Sequence, residues 1–209
     1  MSSTSTSPPN RRQAQRAATR EVVVDAADRL FRRDGYVATT IGAIARESGA
    51  AVQTVYNAVG DKGAVLSAVL DRSASGAQGR PVHEFLGERL DAAVDTASLV
   101  AALADWFAEV NPRTLPVNRI IDQGAAVDRQ IAELRVRRGQ QRMERYRRVH
   151  ALLLERGGLR PGLDADAVGA VVWSVGSPAT YEALVVHAGW SLSRYRDWVG
   201  RTLAAALLT

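Results

Sequence analysis

Apolar residues return every three or four positions along most of the chain, from Val23, Ala27, Leu30 and Phe31 near the start to Tyr195, Trp198, Val199, Thr202, Leu203, Ala206 and Leu207 near the end. That period matches a helical turn, and no stretch alternates apolar with polar residues as a half-buried strand does. Thr, Ile, Tyr and Phe are too sparse for a β-rich reading. The chain is therefore predicted to be all-α. Gly35, Gly49, Gly60, Asn111-Pro112, Pro116, Gly157-Gly158 and Pro161-Gly162 punctuate it. Beyond a compact helical run over residues 11 to 72, helices are expected over about 83 to 110, 117 to 133, 135 to 156, 164 to 187 and 192 to 208. Residues 1 to 10, rich in Ser, Thr and Pro, read as a flexible tail. The small-residue stretch Ser73 to Pro81 reads as the loop between an N-terminal domain and a second one over residues 80 to 209.

A chain of 209 residues, 46% hydrophobic and 23% charged, can bury a core without staples. It has no cysteine, which removes disulfides, thiolate metal sites and cysteine nucleophiles and suits a reducing cytosol. No apolar run is long enough to span a membrane, and Met1 to Asn10 have no hydrophobic centre for a signal peptide, so a cytoplasmic location is expected. The net charge of +5 comes from basic residues that are all arginine except Lys62. Such a bias toward arginine is a mild pointer to a polyanionic partner.

The stretch Thr40 to Ser48 reads as a short helix with Thr40 as N-cap, Ile41, Ile44 and Ala45 inward, and Gly49 at its end. A second short helix, about Val52 to Val59, begins two or three residues later. Two short helices joined by a glycine-containing turn form a helix-turn-helix, whose second helix is slim enough for the ~12 Å wide major groove.

Thr39-Thr40-Ile41, Ile44-Ala45, Gly49, Thr54-Val55-Tyr56 and Lys62, preceded by Ala26 to Phe31 and Gly35-Tyr36, resemble the DNA-binding domain of TetR-type (tetracycline-repressor-like) transcriptional regulators. The resemblance covers roughly residues 16 to 70. Ser177-Pro178, Tyr181, Leu184-Val185, Gly189-Trp190-Ser191, Tyr195 and Trp198 are in turn similar to the last two helices of one large TetR subgroup. Three positions depart from the pattern: Ala51 stands where the family usually opens its recognition helix with Ser, Ala58-Val59 replace a closing aromatic pair, and Ala43 replaces an acidic residue.

The amides of Gln53 and Asn57 can bond an adenine edge, and Ala51 and Val52 suit thymine methyls, although packing is an equal alternative for Val52. Thr40, Thr54, Tyr56 and Lys62 resemble the family's phosphate anchors. Arg11, Arg12, Arg16 and Arg20 form either an arm on the phosphates or a solvated tail. In the basic run from Arg135 to Arg148, Arg135, Arg138, Arg142 and Arg145 are expected on an outer, solvated face, with Met143, Tyr146, Val149 and Leu153 inward.

The resemblance implies a homodimer, with Val172, Val175, Tyr195, Trp198, Val199 and Leu203 at its interface. It also implies a pocket for a small-molecule effector between about residues 83 and 187. Trp106, Gln123, Tyr146, Trp173 and Tyr181 are the candidate lining residues; Phe107, Asp105, Asp122 and His150 are further possibilities, and Arg119 with the Arg-rich helix would admit an anion. The expected function is a repressor of operator DNA released by a ligand. The alternatives are a ligand-independent regulator or activator, and a helical enzyme. His83, His150 and His187 are isolated, and the sequence has no H-E-x-x-H, no phosphate loop and no serine-nucleophile motif, so no catalytic residue, metal or cofactor is expected.

Overall fold

The computed structural model describes residues 11–75 and 82–209. The expected tail over 1–10, residues 76–81 of the expected loop, and the side chains of Arg11, Arg12, Val82, His83 and Phe85 lie outside that description. The helices are α1 (Arg11–Ala38), α2 (Ile41–Ser48), α3 (Val52–Ala58), α4 (Lys62–Ser75), α5 (Val82–Asp91), α6 (Thr96–Ala125), α7 (Arg129–Arg156), α8 (Ala165–Gly176), α9 (Pro178–Tyr181) and α10 (Leu192–Leu207). A π-helical turn, Glu182–His187, follows α9. Among the described residues the sole β-type pairing is one isolated bridge between Leu159 and Leu208. The chain divides into two compact units, 1–69 and 70–209, and the division falls inside α4.

The first unit is built on the apolar stripe of α1. Val23, Ala27 and Phe31 are fully buried and Leu30 nearly so, together with Ile44 of α2, Val55 of α3 and Val65, Leu66 and Val69 of α4. At Gly35 the backbone leaves the helix with φ 77°, a conformation that a side chain disfavours. The chain turns back there, and Tyr36 is buried with its ring stacked on Phe31 at 6.1 Å. The buried Thr39 hydroxyl donates to the Gly35 carbonyl, which fixes the entry to α2.

In the second unit α6 is the axis, packed against α7 and α10, while α8 packs on α7 and α10. Leu99, Leu103 and Phe107 of α6, Val149 and Leu153 of α7, Val168 and Val172 of α8, and Tyr195, Val199 and Leu203 of α10 are all fully buried in one core. Glycines bring α7 and α8 close: a Cβ on Gly139 would stand 3.1 Å from the Trp173 ring, and one on Gly169 3.1 Å from Met143 Sδ.

The helix boundaries differ from the sequence expectation in four places. The break expected at Asn111 to Pro116 is absent, and α6 runs through both Pro112 and Pro116. An internal proline costs about 3 kcal/mol or more, but α6 buries side chains along its whole length. The Thr114 hydroxyl donates to the Val110 carbonyl and the Asn118 amide to the Thr114 carbonyl, local bonds that add to the helix in the same stretch. The helix expected over 83 to 110 is instead divided before Asp95, which caps α6 in a reciprocal box with Ser98. Asp128 caps α7, so the expected helix over 117 to 133 is split there and no break occurs near residue 134. The helix expected over 164 to 187 breaks at Ser177, whose hydroxyl accepts from Thr180 N ahead of Pro178 at the first turn of α9.

Candidate nucleic-acid interface and ligand cavity

The short helix α3 turns one residue, Val55, fully inward and leaves Ala51, Val52, Gln53, Tyr56 and Asn57 exposed, with Val52 at 46% and Tyr56 at 47%. Two large apolar or aromatic side chains on a seven-residue helix are thus held in solvent by a single buried anchor. Gln53 Nε2 donates to Asn57 Oδ1 at 3.1 Å, an i,i+4 pair that holds the two amides side by side. Arg16 of α1 donates to the Asn57 carbonyl at 3.4 Å, which brings one of the N-terminal arginines to the end of α3.

The turn between α2 and α3 follows local chemistry. Thr40 Oγ1 accepts from Ala43 N at 3.1 Å, and Gly49 closes α2 in the left-handed region with φ 69°. Ala51 opens α3 with no side-chain cap. Thr54 is half-buried and Thr40 exposed. Lys62 lies over the Tyr36 ring at 3.9 Å and its ammonium donates to the Val37 carbonyl at 3.5 Å, while the Asp61 carboxylate accepts from Ala64 N and caps α4. Lys62 therefore joins the start of α4 to the end of α1, a role the sequence reading did not include.

The expected interface residues of the second unit divide by burial. Val172, Tyr195, Val199 and Leu203 are fully buried within the single chain and have no surface left for a partner. Their assignment to an interface is corrected: helical spacing gives a stripe but not which of two coverings it meets, and here the core of the same chain covers it. Val175 and Trp198 are partly exposed, as are Val171, Thr202 and Ala206.

A cavity of about 80 Å³ lies in the second unit. Of the five expected pocket residues, Trp106 and Tyr146 line it. The other three do not. Trp173 covers Gly139 of α7, Tyr181 packs edge-on against Tyr195 at 5.2 Å, and Gln123 is exposed near the end of α6. Asp105 and Asp122 are exposed and paired with Arg196 and Arg135, and Arg119 is paired with Glu182.

The larger correction concerns α7. Arg135 is exposed as expected, but Arg138, Arg142 and Arg145 are half-buried and line the cavity together with Tyr146. Ile131, Leu134, Arg138, Arg142, Arg145 and Val149 follow one another in steps of three or four, so the arginines continue the buried stripe of their own helix. Arg138 is clamped by both oxygens of Asp71 at 2.7 Å. Burial, the largest effect, pushes the Arg145 guanidinium below its usual range, and Arg142 and Arg138 act in the same direction. Burial likewise raises the Tyr146 phenol.

Sequence reasoning also missed Asn111, which is buried and donates through Nδ2 to the Gly176 carbonyl at 3.1 Å and to Tyr195 Oη at 3.0 Å. Its position before Pro112 gave a turn signal, and nothing local marked it as a core amide. Among the described residues no group of three His, Cys, Asp or Glu side chains could hold a metal, and no helix is long and apolar enough to cross a membrane.

A short helix displayed on a three-helix support is a helix-turn-helix arrangement, and it precedes a larger helical unit with a cavity. Residues 23–69 match the family model of the bacterial regulatory proteins of the tetR family. The SmeT–triclosan complex, SmeT being the repressor of the Stenotrophomonas maltophilia multidrug efflux pump SmeDEF, shares the fold with a TM-score of 0.70 at 22% identity over 92% of each chain. Native NalD, the secondary repressor of the MexAB-OprM multidrug efflux pump in Pseudomonas aeruginosa, gives 0.70 at 18% identity over 92% of this chain and 98% of that one. A transcriptional regulator from Saccharomonospora viridis in complex with choline gives 0.65 at 18% identity over 92% and 99%. No curated protein matches the sequence. Residues 23–69 thus match the model of the tetR family, and the chain shares its fold with those solved structures.

Proposed function

We propose that the protein is a homodimeric repressor that binds operator DNA through α3 and is released when a small molecule enters the second unit. The exposed face of α3 carries this reading: Ala51, Val52, Gln53 and Asn57 are the base readers, and Thr40, Thr54, Tyr56 and Lys62 set the register on phosphate. Each head reads a few base pairs, and a two-fold dimer reads two half-sites about 34 Å apart. The exposed remainder of the α8 and α10 stripes, including Val175, Trp198 and Thr202, supports the dimer contact. Acting on operator DNA places the protein in the cytoplasm, and its role is regulatory, with no catalytic step.

Release requires that the ligand bind the DNA-incompetent arrangement more tightly than the competent one; a coupling of about 1–3 kcal/mol is the usual scale. The element on which such coupling would act is α4, whose residues Lys62 to Val69 belong to the first unit and Leu70 to Ser75 to the second. Selection of bound fragments from genomic DNA tests the proposal. The expected outcome is a near-palindromic site bound with strong salt dependence. Recovery of no preferred sequence would refute it.

A further inference from the structure

The cavity of the second unit is lined by two unlike sets of residues. One is Arg138, Arg142 and Arg145, spaced along one stripe of α7. The other is largely apolar, with Leu70, Ala74, Leu86, Trp106 and Val110 beside the buried polar residues Asn111 and Thr114. Asp71 is the one carboxylate among the described lining residues, and both its oxygens are taken by Arg138. Arg145 reaches only the Gln141 carbonyl of its own helix, at 3.1 Å, and Arg142 makes no ion pair among the described residues. Arg142 and Arg145 therefore line a half-enclosed space whose single carboxylate is already taken by Arg138, although uncompensated charge is costly away from water. Tyr146, which follows Arg145 in the chain, also lines the cavity, its ring edge-on to Phe107.

From this arrangement we infer that the cavity binds a small organic carboxylate, its acid group clamped by Arg142 and Arg145 and its apolar body laid against Trp106, Leu86 and Val110. Guanidinium groups offer forked donors that match the two oxygens of a carboxylate. A bare inorganic oxyanion would match the arginines but leave the apolar residues facing its hydration shell. A cavity of about 80 Å³ holds about five to eight water-sized positions, enough for a single ring or a short chain beside the acid. The inference specifies the ligand of the proposed release mechanism and rests on that reading only for its regulatory meaning.

The test uses the full chain in thermal unfolding and titration calorimetry, with sodium benzoate and sodium 3-phenylpropanoate as probes. Their neutral amides and sodium phosphate at matched ionic strength are the controls. The expected result is concentration-dependent stabilisation by at least one carboxylate and none by its amide. Arg142→Gln and Arg145→Gln should each weaken carboxylate binding about tenfold or more. They should leave the ligand-free melting temperature equal to or above that of the parent, because removing one of several crowded like charges relieves repulsion. Equal effects of acid and amide, no effect of either acid, an equal effect of phosphate, or undiminished binding in both variants would each overturn the inference. Should a variant fail to fold, acid against amide on the parent chain still decides it. Retention of operator DNA is measured separately: a carboxylate that binds as described but leaves DNA bound sustains the site and refutes release by this ligand.

Discussion

Tyr195 shows how one side chain ties three elements together. Its hydroxyl accepts from Asn111 of α6 and its ring packs against Tyr181 of α9, with no part of the side chain exposed. Burial, partly offset by the Asn111 hydrogen bond, pushes its phenol up to about 12. A tyrosine in the unfolded chain ionises near 10. Below that pH both states keep the proton and the contribution is fully present. As pH rises from about 10 to about 12 the unfolded state releases a proton that the folded state retains, so stability falls, at up to ~1.4 kcal/mol per pH unit. Tyr195→Phe should flatten this alkaline slope in urea unfolding and cost about 1 kcal/mol at neutral pH through the lost Asn111 bond. An unchanged slope would assign the titration to another group. On α3, Gln53→Ala should alter preference at one base position, whereas Tyr56→Phe should weaken all sites alike; identical behaviour in binding assays would abolish the division into readers and anchors.

At the scale of elements, the ends of helices and their close approaches decide stability. α3 begins without a side-chain cap because Ala51 occupies the N-cap position. Ala51→Ser should stabilise the chain by about 1 kcal/mol, read as a higher denaturant midpoint. No change would mean that solvent already satisfies the free amides of that turn. The end of α8 is a different case. A Cβ at Gly176 would clash with the Phe107 ring, and the Gly176 carbonyl accepts from Asn111. Gly176→Ala should therefore cost about 1–3 kcal/mol, since the fully buried Phe107 ring has to shift. Helix ends were partly legible in the sequence: Thr40, Gly35 and Gly49 lie where the turn chemistry places them. Pro112 and Pro116 did not end the helix, because a local breaker is overridden when side chains along the whole helix are buried.

For the whole molecule, the dimer is the prediction that joins the parts. The parent chain, at 22.5 kDa, should sediment at twice its mass. Val175→Arg, on a partly exposed position of α8, should give a folded monomer that loses operator binding while α3 is untouched. A dimeric variant would move the interface elsewhere. What the sequence by itself determined was the helical class, the helix-turn-helix and the outward residues of α3. Those depend on periods and caps that act within a few residues of chain. The tertiary structure alone decided which helices cover which stripes. It turned Val172, Tyr195, Val199 and Leu203 into core, and brought Arg138, Arg142 and Arg145 of α7 to a cavity with Asp71 of α4 and Trp106 of α6. Periodicity marks which residues share a face, but what that face meets depends on contacts between residues far apart along the chain.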